Sequence, residues 1–320
     1  KNCDLFNQGW SKDYDSLIGD ISNSKIAVYT AFTGDYDTLK DPDFIDENCD
    51  YICFCDNPNI RSSVWRIILM EDSILDNNRK AKQYKVFPHK YLSEYKYSLW
   101  VDGTFQIKFS VREYIRRYVK NSMLIVVHPE RNDIFDEFEV SLFQKRYPRV
   151  IMEEQVNKYL DEGFPRNYGL GAMGFIFRQH IEEISQVMDD WWDEIIKYSY
   201  QDQLSFPYVC WKNDFHPSVS LINYEGNDYW DKPPGNRHKK EFKTPFNSYR
   251  LLDKMENQEV ETLTFNKAEL NLIKNDLKVL NNIKIEDINF NFFDALKFKI
   301  KKSTPWLIMH IFIENIKKSL

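Results

Sequence analysis

The sequence predicts an α/β fold built on a mostly parallel sheet, and three observations predict it. Five short runs of aliphatic, β-branched and aromatic residues recur along the first half of the 320-residue chain, with the length and chemistry of buried strands. Stretches of helical character lie between them, notably 79–96 and 110–121, as crossovers between parallel strands require. Each run stops on polar or small residues, where a loop must begin.

Taken in order, "KIAVYTAFT" (25–33) is the first strand and breaks at Gly34-Asp35. "DYICFCDNP" (50–58) is the second, closed by Asp56-Asn57-Pro58, and "VWRIILM" (64–70) is the third. "YSLWVDG" (97–103) and "SMLIVVHP" (122–129) are the fourth and fifth. In such sheets ligands gather outside the carboxyl ends of the strands. Thr33, Asp35, Asp56, Asp102 and His128 all fall at those ends.

Further on, "GLGAMGFIFRQH" (169–180) carries glycines at 169, 171 and 174 before a short apolar strand. It matches neither a phosphate-binding P-loop nor a dinucleotide fingerprint, and it reads as a close-approach loop. Residues 183–199 place apolar side chains at 184, 187, 188, 191 and 195, the stripe of an amphipathic helix. Trp191 and Trp192 then belong to its core face and flank rather than to a sugar platform. From 224 to 249 the chain turns polar and rich in Pro and Gly, a candidate lid or linker. Residues 1–249 are therefore expected as one domain and 250–320 as a helical C-terminal extension. Leu270, Ile273, Leu277 and Leu280 mark one helix of that extension and 285–300 another. Pro305–Leu320 reads either as a helix docked on the body or as an interfacial helix drawn to anionic lipid.

Composition narrows the functional classes. Hydrophobic residues make up 42% of the chain and aromatics 16%, enough for a large core. The net charge of −6 argues against a nucleic-acid partner. Within 296–320, however, six lysines face one acid, Glu314, and this tail suits peripheral contact with an anionic membrane. No apolar run approaches the ~20 residues that span a bilayer. Five cysteines (Cys3, Cys49, Cys53, Cys55, Cys210) show no framework spacing, which points to reduced thiols in a cytoplasmic protein. Cys53 and Cys55 share one strand face, yet no second pair or nearby histidine completes a zinc set, so they read as core residues. The expected location is the cytoplasm, peripheral at the inner face of the cell membrane.

For chemistry, the chain has no P-loop, nucleophile elbow or His-Glu-x-x-His helix. What it offers is a set of polar groups at strand ends. Asp102-Gly103 is either a tight turn or a metal or phosphate site, with Gly103 leaving room for phosphate. A diphosphate leaving group needs a divalent cation, because charge accumulates on its oxygens as the bond breaks. Asp102 could bind such a cation, Asp56 could meet a nucleoside ring or ribose, and Arg79, Lys82 and Lys85 could neutralise phosphate. Asp202-Gln203, after the Trp-rich helix, is either a helix N-cap or a pair of groups facing a sugar.

Six blocks, "IAVYTAFTGDYD", "DYICFCDNP", "RKAKQYKVFPHKYLSEYKYSLWVDGTFQI", "HPERNDIFDE", "GLGAMGFIFRQH" and "WWDEIIKYSYQDQLSFPYV", occur in order over about 25–215. Together they resemble a glycosyltransferase-like family. That family includes plant mucilage-related rhamnogalacturonan galacturonosyltransferases and bacterial relatives from surface-polysaccharide loci. The resemblance implies a GT-A-like (Rossmann-like) fold. It also implies transfer of a sugar, as a hexosyl or uronosyl group, from a nucleotide-sugar donor, UDP-linked, to a hydroxyl of a growing surface polysaccharide or glycan, with retention of configuration. It places Thr30, Phe32, Thr33, Asp35 and Asp56 at the nucleotide, and Arg79 and Lys82 at the donor. Asp102 takes the place of the metal-binding Asp-x-Asp motif, although Thr104 stands where a second aspartate is expected. A divalent cation, Mn²⁺ or Mg²⁺, would then need a later ligand, for which His216 is the candidate and His238 its rival. Asp202 or Gln203 would stabilise oxocarbenium-like charge, and Arg178 and His180 would frame the acceptor. Two readings from other classes stand beside this one: a non-catalytic nucleotide- or sugar-binding module, and a lipid amide hydrolase.

Overall fold

The computed structural model describes residues 4–6, 11–34, 38–143, 147 and 149–231. In chain order the elements are α1 (Tyr14–Asn23), β1 (Ile26–Phe32), β2 (Cys49–Cys55), β3 (Arg66–Leu69), α2 (Asn77–Val86), α3 (Pro88–Tyr91) and β4 (Tyr97–Val101). There follow β5 (Gln106–Ile107), α4 (Val111–Tyr118), β6 (Met123–Val127), α5 (Ile134–Phe143), α6 (Arg149–Asp161) and β7 (Gly171–Gln179). The described part closes with α7 (Glu182–Lys197), α8 (Asp202–Lys212), β8 (Ser218–Ser220) and β9 (Trp230–Asp231).

Seven strands form one sheet in the order β3-β2-β1-β4-β7-β6-β8. Pairings β1–β2, β1–β4, β2–β3 and β6–β8 are parallel, while β7 runs antiparallel to both β4 and β6. Only β7 is therefore reversed, and the mixed, largely parallel α/β sheet expected from the sequence is the fold observed. The reversal decides where the site lies, because it brings the amino end of β7 to the carboxyl end of β4.

Strands buried on both faces read as continuous apolar runs, and β1 is buried at all seven positions. Its alternate residues feed two cores. Ala27, Tyr29 and Ala31 join one with Trp100, Ile176, Met188, Trp191 and Leu204. Ile26, Val28 and Phe32 join the other with Leu99, Val101, Tyr114, Phe175 and Trp230. Trp191 is fully buried and Trp192 packs at the margin, as the helical stripe predicts. Cys53 and Cys55 are buried free thiols in the second core.

Several local expectations change. The helical stretch 79–96 divides at Pro88, which cannot donate within α2 and instead starts α3. Residues 171–179 form a nine-residue buried strand rather than a loop, its glycines giving way to close neighbours. Within the candidate lid, 224–231 are packed: Tyr224, Tyr229 and Trp230 are buried, and Trp230 stacks on Phe175 at 3.9 Å. Residues 232–249 and the expected extension 250–320, with its lysine-rich tail, lie outside the described residues.

Candidate active site

Asp102 follows β4 directly. Its backbone N–H donates to the Gly174 carbonyl at 2.8 Å, and its own carbonyl accepts from Phe105 at 3.0 Å. The turn reading of Asp-Gly is therefore correct for the backbone, while the side chain is committed elsewhere. Trp100, two residues back and on the same strand face, donates its indole Nε1–H to Asp102 Oδ1 at 2.6 Å. Gly174 makes the crossing of β4 and β7 achievable here. A Cβ at that position would lie 2.0 Å from the Tyr224 hydroxyl, 2.7 Å from Phe105 Cε2 and 3.1 Å from Asp102 Oδ2.

Opposite Asp102, α2 presents two lysines one turn apart, so that both ammonium groups fall on one face. Lys85 is 4% exposed. Its Nζ lies 2.7 Å from Asp202 Oδ2 and 3.4 Å from Asp102 Oδ1. Lys82 reaches the same Asp202 oxygen at 2.9 Å. Two cations and two anions make a neutral quartet across three elements: the end of β4, the last turn of α2 and the start of α8. Burial works to raise the Asp202 pKa, and the two ammonium groups overcome it and hold the carboxyl well below the usual range. For Lys85, burial is outweighed by both carboxylates, and its pKa rises. For Lys82, burial and the Lys85 charge prevail, and its pKa falls. Lys82 is the more accessible cation of the pair, its side chain 19% exposed against 5% for Lys85.

Asp202 is not a helix N-cap. That position belongs to Gln201, and Asp202 is the first helical residue, its carboxylate at the positive end of α8. Gln203 lies beside it and accepts from Gln201 Nε2 at 3.2 Å. Pro207, inside α8, removes the N–H that would otherwise engage the Gln203 carbonyl.

On the other flank, the ends of β1 and β2 are tied together. Gly34, at φ +61°, donates its N–H to both Asp56 carboxylate oxygens at 3.0 and 3.1 Å. Thr33 Oγ1 donates to the Asn77 carbonyl at 2.9 Å, joining β1 to the start of α2. Thr30 and Phe32 are buried in β1, one strand away from β4, and Thr30 Oγ1 finds no hydrogen-bond partner among the described residues. Asp35 lies outside them. Gly103 is held from behind, its carbonyl accepting from Lys40 at 3.4 Å. Thr33, Asp56, Lys82, Asp102, Gly103, Asp202 and Gln203 therefore all border the carboxyl ends of β1, β2 and β4.

Four expected residues do other work. Arg79 donates to the carbonyls of Ile195 at 3.1 Å and Tyr198 at 2.7 Å, and to Asp76 at 2.7 Å. It clamps the C-terminal end of α7, with most of its donors already committed. Arg178 pairs with Ser98 in the β4–β7 ladder, four residues from the Gly174 crossing, or ~13 Å along the strand. It has no solvent exposure and so cannot frame an acceptor. His180 sits lower still, its Nε2 2.8 Å from Ser98 Oγ. His216 precedes β8, whose Ser218 is level with Leu124, and Leu124 is level in turn with Phe177 and Leu99. That puts His216 at the amino end of the sheet, five residue steps or ~17 Å along the strand direction from Asp102. The two cannot share an ion. The reason is common to Arg178, His180 and His216: each belongs to the far end of its strand.

For a divalent cation the end of β4 offers one carboxylate, Asp102, whose Oδ1 already accepts from the Trp100 indole and faces the Lys85 ammonium; a hard cation held there would take its remaining oxygens from phosphate and water. Among the described residues no three His, Cys, Asp or Glu side chains converge on a common point. His238 lies outside them.

A second buried network, not anticipated from sequence, adjoins α8 at the carboxyl end of β6. Glu137, 4% exposed, accepts from Arg131 Nε at 2.7 Å and Gln201 Nε2 at 2.8 Å. His128 Nδ1 accepts from the backbone of Glu130 and Arg131, and Arg131 Nη2 lies 3.1 Å from His128 Nε2. This network fixes Gln201, and through it the start of α8. The block "HPERNDIFDE" contained the signal: a histidine at a strand end followed by one arginine among four acids.

A family model described as TOD1/MUCI70, glycosyltransferase-like domain, matches residues 12–229. The chain is also similar to a plant protein, "Probable hexosyltransferase MUCI70" of Arabidopsis thaliana. The two are 24% identical over 163 residues, 47% of this chain and 28% of that protein. The matched segment thus covers well under two thirds of the relative's length.

Proposed function

Because the chain belongs to the TOD1/MUCI70 glycosyltransferase-like domain family, we propose that it transfers a hexosyl or uronosyl group from a UDP-linked donor to a hydroxyl of a growing glycan, with retention of configuration. The observation that carries this reading is the Lys85 bridge between Asp102 and Asp202. It gathers a strand end, a pair of cations and a helix-borne carboxylate into one small volume. The nucleoside would lie over Thr33, Gly34 and Asp56, and the diphosphate against Lys82 and Lys85 beside Gly103. Lys82, the more exposed cation, turns from Asp202 to the phosphate when donor binds. Asp202 then faces the anomeric carbon, where positive charge develops as the C1–O bond to phosphate breaks. The acceptor oxygen forms the new bond to C1, and its proton passes to the departing phosphate oxygen, so no strong protein base is needed. No step is assigned to a metal ion, and Mn²⁺ and Mg²⁺ enter as variables of the assay.

The test is release of nucleoside diphosphate from a panel of nucleotide sugars, with and without Mn²⁺ or Mg²⁺, for the wild type and Asp102→Ala. Turnover of at least one donor, lost in the variant, supports the reading. Nucleotide binding without turnover in either form would make the chain a binding module instead. We also propose that residues 296–320, outside the described residues, hold the protein at the inner, cytoplasmic face of an anionic membrane. Among the described residues no helix is long and apolar enough to cross one. Flotation with anionic vesicles should weaken as salt rises.

A further inference from the structure

Arg178 lies far from the crevice, yet it is one of the largest fully buried side chains. A buried guanidinium is costly unless its charge and donors are matched. It makes no ion pair among the described residues, and its Nε has no hydrogen-bond partner there. What it does engage is the end of α2. Its Nη2 donates to the Tyr29 hydroxyl, and the Tyr29 hydroxyl donates to the backbone carbonyl of Lys85 at 2.9 Å. Its Nη1 lies 3.5 Å from the Val86 carbonyl and 3.2 Å from Met188 Sδ. Lys85 and Val86 are the last two residues of α2, where helix carbonyls have no intrahelical donor and the dipole is negative. The guanidinium therefore acts as the counter-charge of a helix end rather than of a carboxylate.

The tyrosine in this relay has a second contact. Its ring meets Trp100 edge-to-face at 5.2 Å, and Trp100 donates to Asp102. One buried phenol thus adjoins both arms of the site, the Lys85 backbone on one side and the Asp102 partner on the other.

We infer that Arg178 and Tyr29 are positioning residues that lock the last turn of α2, so that the Lys85 ammonium is held between Asp102 and Asp202. Neither touches substrate. The catalytic consequence rests on the glycosyl-transfer reading above; the placement of Lys85 does not.

The experiment separates the two. Amine acylation of the folded wild type, Tyr29→Phe, Arg178→Lys and Arg178→Met, followed by peptide mass spectrometry, reports access to Lys85. Lys25 and Lys96, whose side chains are 56% and 52% exposed, serve as internal standards. Loss of one buried hydrogen bond should raise Lys85 acylation about tenfold in Tyr29→Phe, with the standards unmoved. Arg178→Lys should fall between wild type and Arg178→Met, because one ammonium can reach the hydroxyl or the carbonyl but not both. Where Arg178→Met does not fold, the other two variants carry the test. Donor turnover should show kcat falling more than KM changes. Unchanged Lys85 acylation in Tyr29→Phe and Arg178→Lys would overturn the inference, whatever happens to stability. If acylation responds while the wild type turns over no donor, the positioning role stands and the glycosyl-transfer reading fails.

Discussion

Replacing Lys85 by methionine keeps the volume of the side chain and removes its charge. In the wild type the quartet Lys82, Lys85, Asp102 and Asp202 is neutral; in the variant it carries one negative charge. Breaking a buried pair from one side costs about 3–5 kcal/mol. Asp202 keeps Lys82 at 2.9 Å, which places the expected loss near the lower end, about 3 kcal/mol. Asp202→Asn leaves the opposite imbalance, two lysines against the partly exposed Asp102. The double variant restores neutrality, so it should cost at least about 2 kcal/mol less than the sum of the singles. Urea denaturation at pH 7 measures all four corners of the cycle, with a constant m-value as the condition for reading it. A Lys85→Met protein within about 0.5 kcal/mol of wild type, or an additive cycle, would refute the claim that these charges form one coupled unit.

Two further predictions address the surroundings. Gly174→Ala should destabilise the protein by about 1–3 kcal/mol and depress donor turnover, since the added methyl meets Tyr224, Phe105 and Asp102; thermal and turnover assays together check it. His89 and His180 have pKa values lowered from 6.5 to about 4, chiefly by burial and with the Arg178 charge adding to it. The unfolded chain therefore binds more protons in that interval. Their contribution is full above about pH 6.5 and is lost as pH falls towards 4, with a slope of at most about 1.4 kcal/mol per pH unit for each ring. Denaturation between pH 7 and 4 should show that loss, and His180→Gln should flatten it.

The presence of these strands and their buried character are legible because β1, β2, β4 and β6 are continuous apolar runs. Asp102 and Asp202 were legible as carboxylates where such runs or helices change over. Direction was not. Periodicity marks 171–179 as apolar but carries no sign for a strand that runs backwards, so nothing local shows that Arg178 and His180 lie at the end of the sheet away from Asp102. The glycines of β7 read as loop because their purpose is tertiary: Gly174 exists to admit Tyr224 and Asp102, fifty and seventy-two residues away in sequence. His216 is displaced for a related reason, since nothing local says that β8 runs parallel to β6, which puts the residues preceding it at the amino end of the sheet. Lys85 was visible only as one of several cations in "RKAKQYK". Its burial, which separates it from its neighbours, depends on α8 arriving from more than a hundred residues later.

The most direct test of the central claim compares release of nucleoside diphosphate from the preferred nucleotide sugar by wild-type protein and Asp202→Asn, at equal folded fraction. Removal of the group that meets the developing charge should lower turnover by about 10²–10³-fold while nucleotide binding persists. Turnover by Asp202→Asn at the wild-type rate would contradict it.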